Sequence, residues 1–423
     1  MAQALDNIRI IDFTSHLAGP FCTMLLADMG ADVIKVERPG IGDESRKSAP
    51  FMGGMSAFFL QANRNKRSIV LDLRTKDGLA ACKKLIASAD AVVENYKPGT
   101  MERLGLGYKQ LAPRHPRLVY TAISGYGQTG PHRQNGGFDL MAQAMSGLMS
   151  ICGAEDGEPH RLPIPISDLA GGMYGALGTL NALFARERTG KGQMVDASLF
   201  ESALSFCPYE VAGYFTTGKR PTRIGQKHRN AAPYQIFPTA EGYIVLGAAT
   251  QALWTKFCET VIAAPELLAD PRFASNAKRI ENNDALVEIV TGYMRKRSAA
   301  QWLGALERAG IPAAPVLSHD EVLKHPHVEA RGLIANMNHP VAGPIRLMHT
   351  PLKFSRTPVT IRRPAPVLGE HTEALLRETA RPEKARAARK STKGKSAKKK
   401  APTKRPTKST PPKTKRARRR TRR

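Results

Sequence analysis

The chain has 423 residues, 42% of them hydrophobic, which is room for two or three domains with real cores. Its formal net charge of +28 implies a polyanion binder only until the charge is located, because residues 381–423 hold 21 Lys or Arg against one acid, Glu383, and the rest carries a net of +8. Five scattered cysteines exclude a disulfide framework, no run of 18 apolar residues offers a membrane span, and no apolar leader opens the chain, so a cytoplasmic protein is expected.

Residues 8–13 read as a strand, 19–29 as a helix closed by Gly30, and 32–37 as a second strand. Strand, helix and strand within about thirty residues make a βαβ unit and predict a parallel sheet. Strand 68–72, helix 78–87 and strands 91–94 and 118–123 continue the alternation. The first 150 residues are therefore expected to form a Rossmann-like, doubly wound α/β fold. A long helix begins near Asp168, with Gly171, Gly175 and Gly178 at helical spacing for close backbone packing. Residues 189–193 then turn into a strand at 194–199.

Residues 1–224 are read as the first part of a large α/β domain. Residues 225–320 form a smaller α+β domain, with a hairpin around residues 239–242 and helices near 252–262, 284–295 and 299–309. Residues 321–380 return to complete the large domain. The tail, 381–423, is Lys, Arg, Pro, Thr, Ser and Ala without a large apolar residue, so burial cannot offset its ordering entropy and disorder is expected. It is either a solvated extension or a tether for nucleic acid or another polyanion, bound by counterion release.

Asp168 stands between an apolar run and the glycine-punctuated helix. A carboxylate at a helix start accepts backbone N–H groups and sits in the positive end of the dipole, which predicts that it stays ionised. Such a group is a cap or a covalent nucleophile, and position alone leaves both open. Gly125 to Gly130 match G-x-G-x-x-G after a strand, but Pro131 to Gly137 follow as a loop where a dinucleotide site needs a helix. Nicotinamide binding is therefore rejected. The histidines are scattered, His325-Pro-His327 lies next to neither Cys nor a carboxylate cluster, and no metal site is expected.

Asp168, its glycine-rich helix, Arg186, the run Thr189-Gly-Lys-Gly-Gln193 and the strand after it resemble the class III CoA-transferases, the CaiB/BaiF type that includes formyl-CoA and carnitine CoA-transferases. The resemblance extends from about residue 8 to residue 372. It implies that Asp168 is the covalent nucleophile, that a coenzyme A thioester is substrate without any prosthetic group, and that CoA passes to a small carboxylic acid. Succinyl-CoA is one expected donor. It also implies an interlocked homodimer.

The resemblance further points to CoA contacts at His16 and Ala18, in the loop after the first strand. Leu17 departs there from a position that is often polar in the family. Arg38 after the second strand, Leu71 and Arg74 after the third, and Asn95, Tyr96, Lys97 and Arg103 after the fourth complete the set. Basic and flat groups suit phosphates and a purine. Asp139 matches an acidic residue that assists the site, and capping the helix before residues 140–143 is the alternative. Related acyl-CoA racemases carry His where this chain has Phe138, which disfavours racemase or isomerase activity. The loop 247–251 lacks an all-glycine run found in formyl-CoA transferases, which disfavours the oxalate/formate pair.

Overall fold

The strands rich in Ile and Val, apolar on both sides, are those that parallel sheets bury between helical layers. In the computed structural model, which describes residues 2–380, they are β1 (Arg9–Phe13), β2 (Asp32–Glu37), β3 (Lys66–Val70), β4 (Ala91–Glu94), β5 (Val119–Ser124) and β6 (Met194–Ser198). They form one parallel sheet in the order β3-β2-β1-β4-β5-β6. The order reverses between β1 and β4, and in such sheets ligands bind outside the carboxyl ends at that crevice. The tail proposed as disordered, 381–423, lies outside the described residues.

The strand period of two divides the core. Ile10, Val33, Val93, Val119 and Ile123 face the helix α1 (Ala18–Asp28). Ile11, Ile34, Val92 and Tyr120 pack instead with Cys82, Leu85 and Ile86 of the helix Lys76–Ile86, and with Leu375 of the helix Thr372–Ala380. The result is a mixed α/β structure around a parallel sheet.

Residues 232–311 close a separate core around Trp254, Phe257, Phe273 and Trp302. The expected hairpin is present as Tyr234–Pro238 and Tyr243–Gly247, paired antiparallel. Ala313–Pro315 adds a third strand to this sheet. The helix anticipated over 252–262 begins as Gln251–Lys256 and finishes as a π-turn, Phe257–Val261.

The segment 356–376 lies along the edge strand β3. Asn65 Oδ1 accepts from the backbone of Arg362 and Arg363, its Nδ2 donates to Thr360 O at 2.9 Å, and Gly369 N donates to Ser68 Oγ at 2.8 Å.

Candidate active site

Three glycine contacts position the site. A Cβ on Gly125 would lie 2.5 Å from Gly137 Cα, so the chain leaving β5 touches the chain that opens α2 (Asp139–Met145). Along α3 (Ile166–Thr189), a Cβ on Gly172 would lie 2.6 Å from Ala18 O, and one on Gly175 would lie 2.7 Å from Ile123 Cδ1. These glycines allow α3 to lie against α1 and β5, as their spacing predicted. Asp168 stands one turn before Gly172 on the same face, which brings it beside the N-terminus of α1.

Asp168 does not cap its helix. Pro165 occupies the cap position and Asp168 lies inside the first turn. The carboxylate that serves the helix end comes from elsewhere: Asp139 Oδ1 accepts from Ser167 N at 2.8 Å, while its Oδ2 accepts from Gln143 Nε2 at 2.7 Å. Asp139 does not cap its own helix either, since Phe138 holds that position. It caps α3 from across the site.

The expected full ionisation of Asp168 is corrected. Burial, and then the charge of Asp139, push its carboxyl up to about 7. Both effects disfavour the anion more than the helix dipole favours it.

Gln143 escaped the sequence reading. It is fully buried, accepts from Leu162 N at 2.9 Å and donates to Ile164 O at 3.3 Å, holding the irregular lead into α3. Its position four residues after Asp139, one turn along a helix, was the available signal. The Gly125–Gly130 stretch runs into turns, and the next helix opens only at Asp139.

The residues assigned to CoA lie after four neighbouring strands, β3, β2, β1 and β4, all at carboxyl ends. Asn95 bridges the crevice where strand order reverses: its Oδ1 accepts from Ser15 N at 2.9 Å and its Nδ2 donates to Ser15 O at 2.8 Å. His16 adopts a left-handed φ of 65° in the same loop, and Ala18 is buried at the start of α1. Arg38 pairs with Glu44, and Arg74, its side chain 85% exposed, makes a two-pronged pair with Asp72. Lys97 and Arg103 are exposed, Arg103 donating to Thr100 Oγ1 at 3.0 Å.

Tyr96 is half-buried, and burial raises its phenol. Glu94 accepts from Tyr96 N at 2.7 Å and is pushed up to about 8, chiefly by burial. Leu71 packs in the core beside Leu85.

A parallel α/β sheet with a switch-point crevice, and a partly desolvated carboxylate at the head of α3, is an architecture on which acyl transfer can be built. The sequence model of CoA-transferase family III matches residues 5–372. A succinyl-CoA:glutarate CoA-transferase from Mus musculus is 39% identical over 380 residues, covering 90% of this chain and 87% of that protein. An acetyl-CoA:oxalate CoA-transferase from Acetobacter aceti is 40% identical over 380 residues, covering 89% and 96%. The solved structure of a CaiB/BaiF family protein from Brucella suis is 34% identical with a TM-score of 0.81, covering 90% of this chain and 100% of that one.

The chain belongs to CoA-transferase family III, and it is an enzyme that acts as a CoA-transferase. Two relatives of nearly equal identity carry different acids in their names, so overall similarity does not select the acid. Among the described residues, no helix is long and apolar enough to cross a membrane.

Proposed function

We propose that this enzyme moves CoA from an acyl-CoA donor, succinyl-CoA foremost, to a small carboxylic acid through a covalent intermediate on Asp168. The observation that carries the reading is the paired environment of Asp139 and Asp168 at the start of α3, beside the N-terminus of α1. An Asp168 carboxylate oxygen attacks the thioester carbonyl, the C–S bond breaks, and CoA thiolate leaves a mixed anhydride. The thiolate then attacks the aspartyl carbonyl, forming an aspartyl–CoA thioester and releasing the donor acid. The acceptor carboxylate attacks that thioester, and the second anhydride is opened by CoA thiolate at the acceptor's acyl carbon. Asp168 is regenerated as carboxylate.

The electrostatics support this sequence. Acylation removes the charge of Asp168 and with it the repulsion from Asp139, so the intermediate is stabilised relative to the free carboxylate.

Arg38, Arg74, Lys97 and Arg103 are proposed to receive the phosphates of CoA, with His16, Ala18, Leu71, Asn95 and Tyr96 along its length. Glu44 and Asp72 would give way to phosphate at Arg38 and Arg74. Phe138, 66% exposed, offers no proton-transfer group, which weighs against racemization.

An interlocked homodimer is part of the proposal. The helix Pro208–Thr217 buries none of its residues, leaving Tyr209 76% and Phe215 81% exposed, and a second copy of the chain would cover them. The test of the reaction is trapping: hydroxylamine added during turnover with succinyl-CoA should label Asp168, and Asp168→Ala should abolish transfer while retaining CoA binding. Label at another side chain would overturn it.

A further inference from the structure

The loop that joins β1 to α1, residues 14–17, is held by side chains beneath and beside it. Thr14 N donates to Asp12 Oδ1 at 2.8 Å, and Thr14 O accepts from Lys35 Nζ at 2.7 Å. Ser15 is held at both backbone atoms by Asn95, and His16 N donates to Asp43 Oδ1 at 3.1 Å. The same Asp43 oxygen accepts from Ser15 Oγ at 3.0 Å. His16 sits in the left-handed region, an unfavourable place for a residue with a Cβ, so the surroundings must impose it.

Two of these groups form an ion pair with no exposure on either side chain: Lys35 Nζ lies 2.7 Å from Asp43 Oδ2. A second buried pair, Lys66 Nζ to Asp12 Oδ2 at 3.0 Å, lies under the same loop. Buried pairs add little net stability, because desolvation offsets the attraction. What they supply here is fixed geometry: Lys35 also donates to Thr14 O, Asp43 also accepts from Ser15 Oγ and His16 N, and Asp12 also accepts from Thr14 N.

Burial alone would lower the Lys35 ammonium, but Asp43, then Asp12 and Glu37, hold it above its ordinary value. Burial would raise Asp43, but Lys35 holds it well below the usual carboxylate range. Both groups are therefore charged at neutral pH.

We infer that Lys35 and Asp43 are positioning residues for coenzyme A: their buried pair shapes the loop 14–16 and the N-terminus of α1 before the ligand arrives. Neither touches the ligand. They act through His16, Ser15 and the loop carbonyls, and the inference rests on the proposed CoA site at this loop. A loop already in its bound shape pays no ordering entropy on binding.

The test uses the full chain with Lys35→Met and Asp43→Asn combined, which removes both charges and leaves neither unpaired. Free CoA is titrated calorimetrically, and turnover is followed with succinyl-CoA and glutarate. The expected result is an unchanged melting midpoint, a Kd for CoA and a KM for succinyl-CoA both raised about tenfold, the scale of one lost charge-assisted hydrogen bond, and a preserved kcat. Unchanged Kd and KM in the folded double variant overturn the inference.

If the double variant does not fold, Ser15→Ala decides, since it removes only the hydroxyl that Asp43 holds. A severalfold weaker CoA titration supports the role, and an unchanged one ends it. His16→Glu separates the two levels of the reading. CoA binding that is indifferent to His16→Glu removes the CoA site from this loop, whereas binding sensitive to His16→Glu but not to the double variant removes only the positioning role.

Discussion

Asp139 caps the helix that bears Asp168, its Oδ1 lying 2.8 Å from the backbone nitrogen of Ser167. One carboxylate thus performs two tasks: it satisfies a free N–H at the head of α3, and its charge raises the neighbouring acid. Asp139→Ala should lower stability by ~1 kcal/mol through loss of the cap, measured by chemical denaturation. Asp139→Asn removes the charge and can keep the hydrogen bond through its amide oxygen. It should move the acid limb of the rate profile down by about one pH unit.

The rate of Asp168 acylation should rise with pH through about 7, where its carboxyl titrates. Below that value it should fall about tenfold per pH unit, because only the anion attacks. Rapid-quench measurement of the labelled peptide across pH 5 to 9 tests this; a flat profile would exclude Asp168 as the titrating nucleophile.

The same group makes stability depend on pH. The folded pKa lies above the ordinary 3.8, so between about pH 4 and 7 the folded protein binds more protons than the unfolded chain. This contribution therefore lowers stability as pH rises through that window and levels off above it. Asp168→Asn should flatten the slope and gain ~1–3 kcal/mol at pH 8, allowing for the solvent that still reaches the carboxyl. Denaturation of both proteins at pH 4 and pH 8 gives the comparison.

Gly172→Val would drive a side chain into the Ala18 carbonyl, 2.6 Å from the nearest added atom. It should destabilise by ~1–3 kcal/mol and displace Asp168 from α1. Transfer activity should fall more steeply than thermal stability does.

Asp12→Ala leaves Lys66 buried, with Lys35 as a like-charged neighbour and no carboxylate in contact. A loss of ~3–5 kcal/mol is expected from the stranded charge, and the denaturation midpoint measures it.

Phe215→Glu should interfere with self-association by placing charge on the exposed face of Pro208–Thr217. Light scattering should then report a monomer where the proposed parent assembly reports a dimer. An unchanged mass would remove this helix from the interface.

Much of the α/β sheet was readable because strand and helix periods differ. Residues 32–37 and 91–94 matched their observed strands, and the glycines of α3 announced close packing before the partner was known. The third strand at Ala313–Pro315 was not readable, since three residues carry too little pattern and the strand exists only by pairing with Tyr243–Gly247. The cap of α3 was not readable because Asp168 and Asp139 are both short acids at helix starts. Local preference cannot tell which of them reaches the orphan N–H.

Local residue order was enough to specify the alternation of elements, the family motif around Asp168 and the candidate contacts after each strand. Those features depend on neighbours within one or two turns of chain. Folding decided the rest: that Asp139 serves the helix of Asp168, that burial and repulsion raise the latter's pKa, and that Lys35 and Asp43 set the loop before α1. Each of these depends on distance and desolvation between residues remote in sequence, and such quantities take values only once the chain has packed.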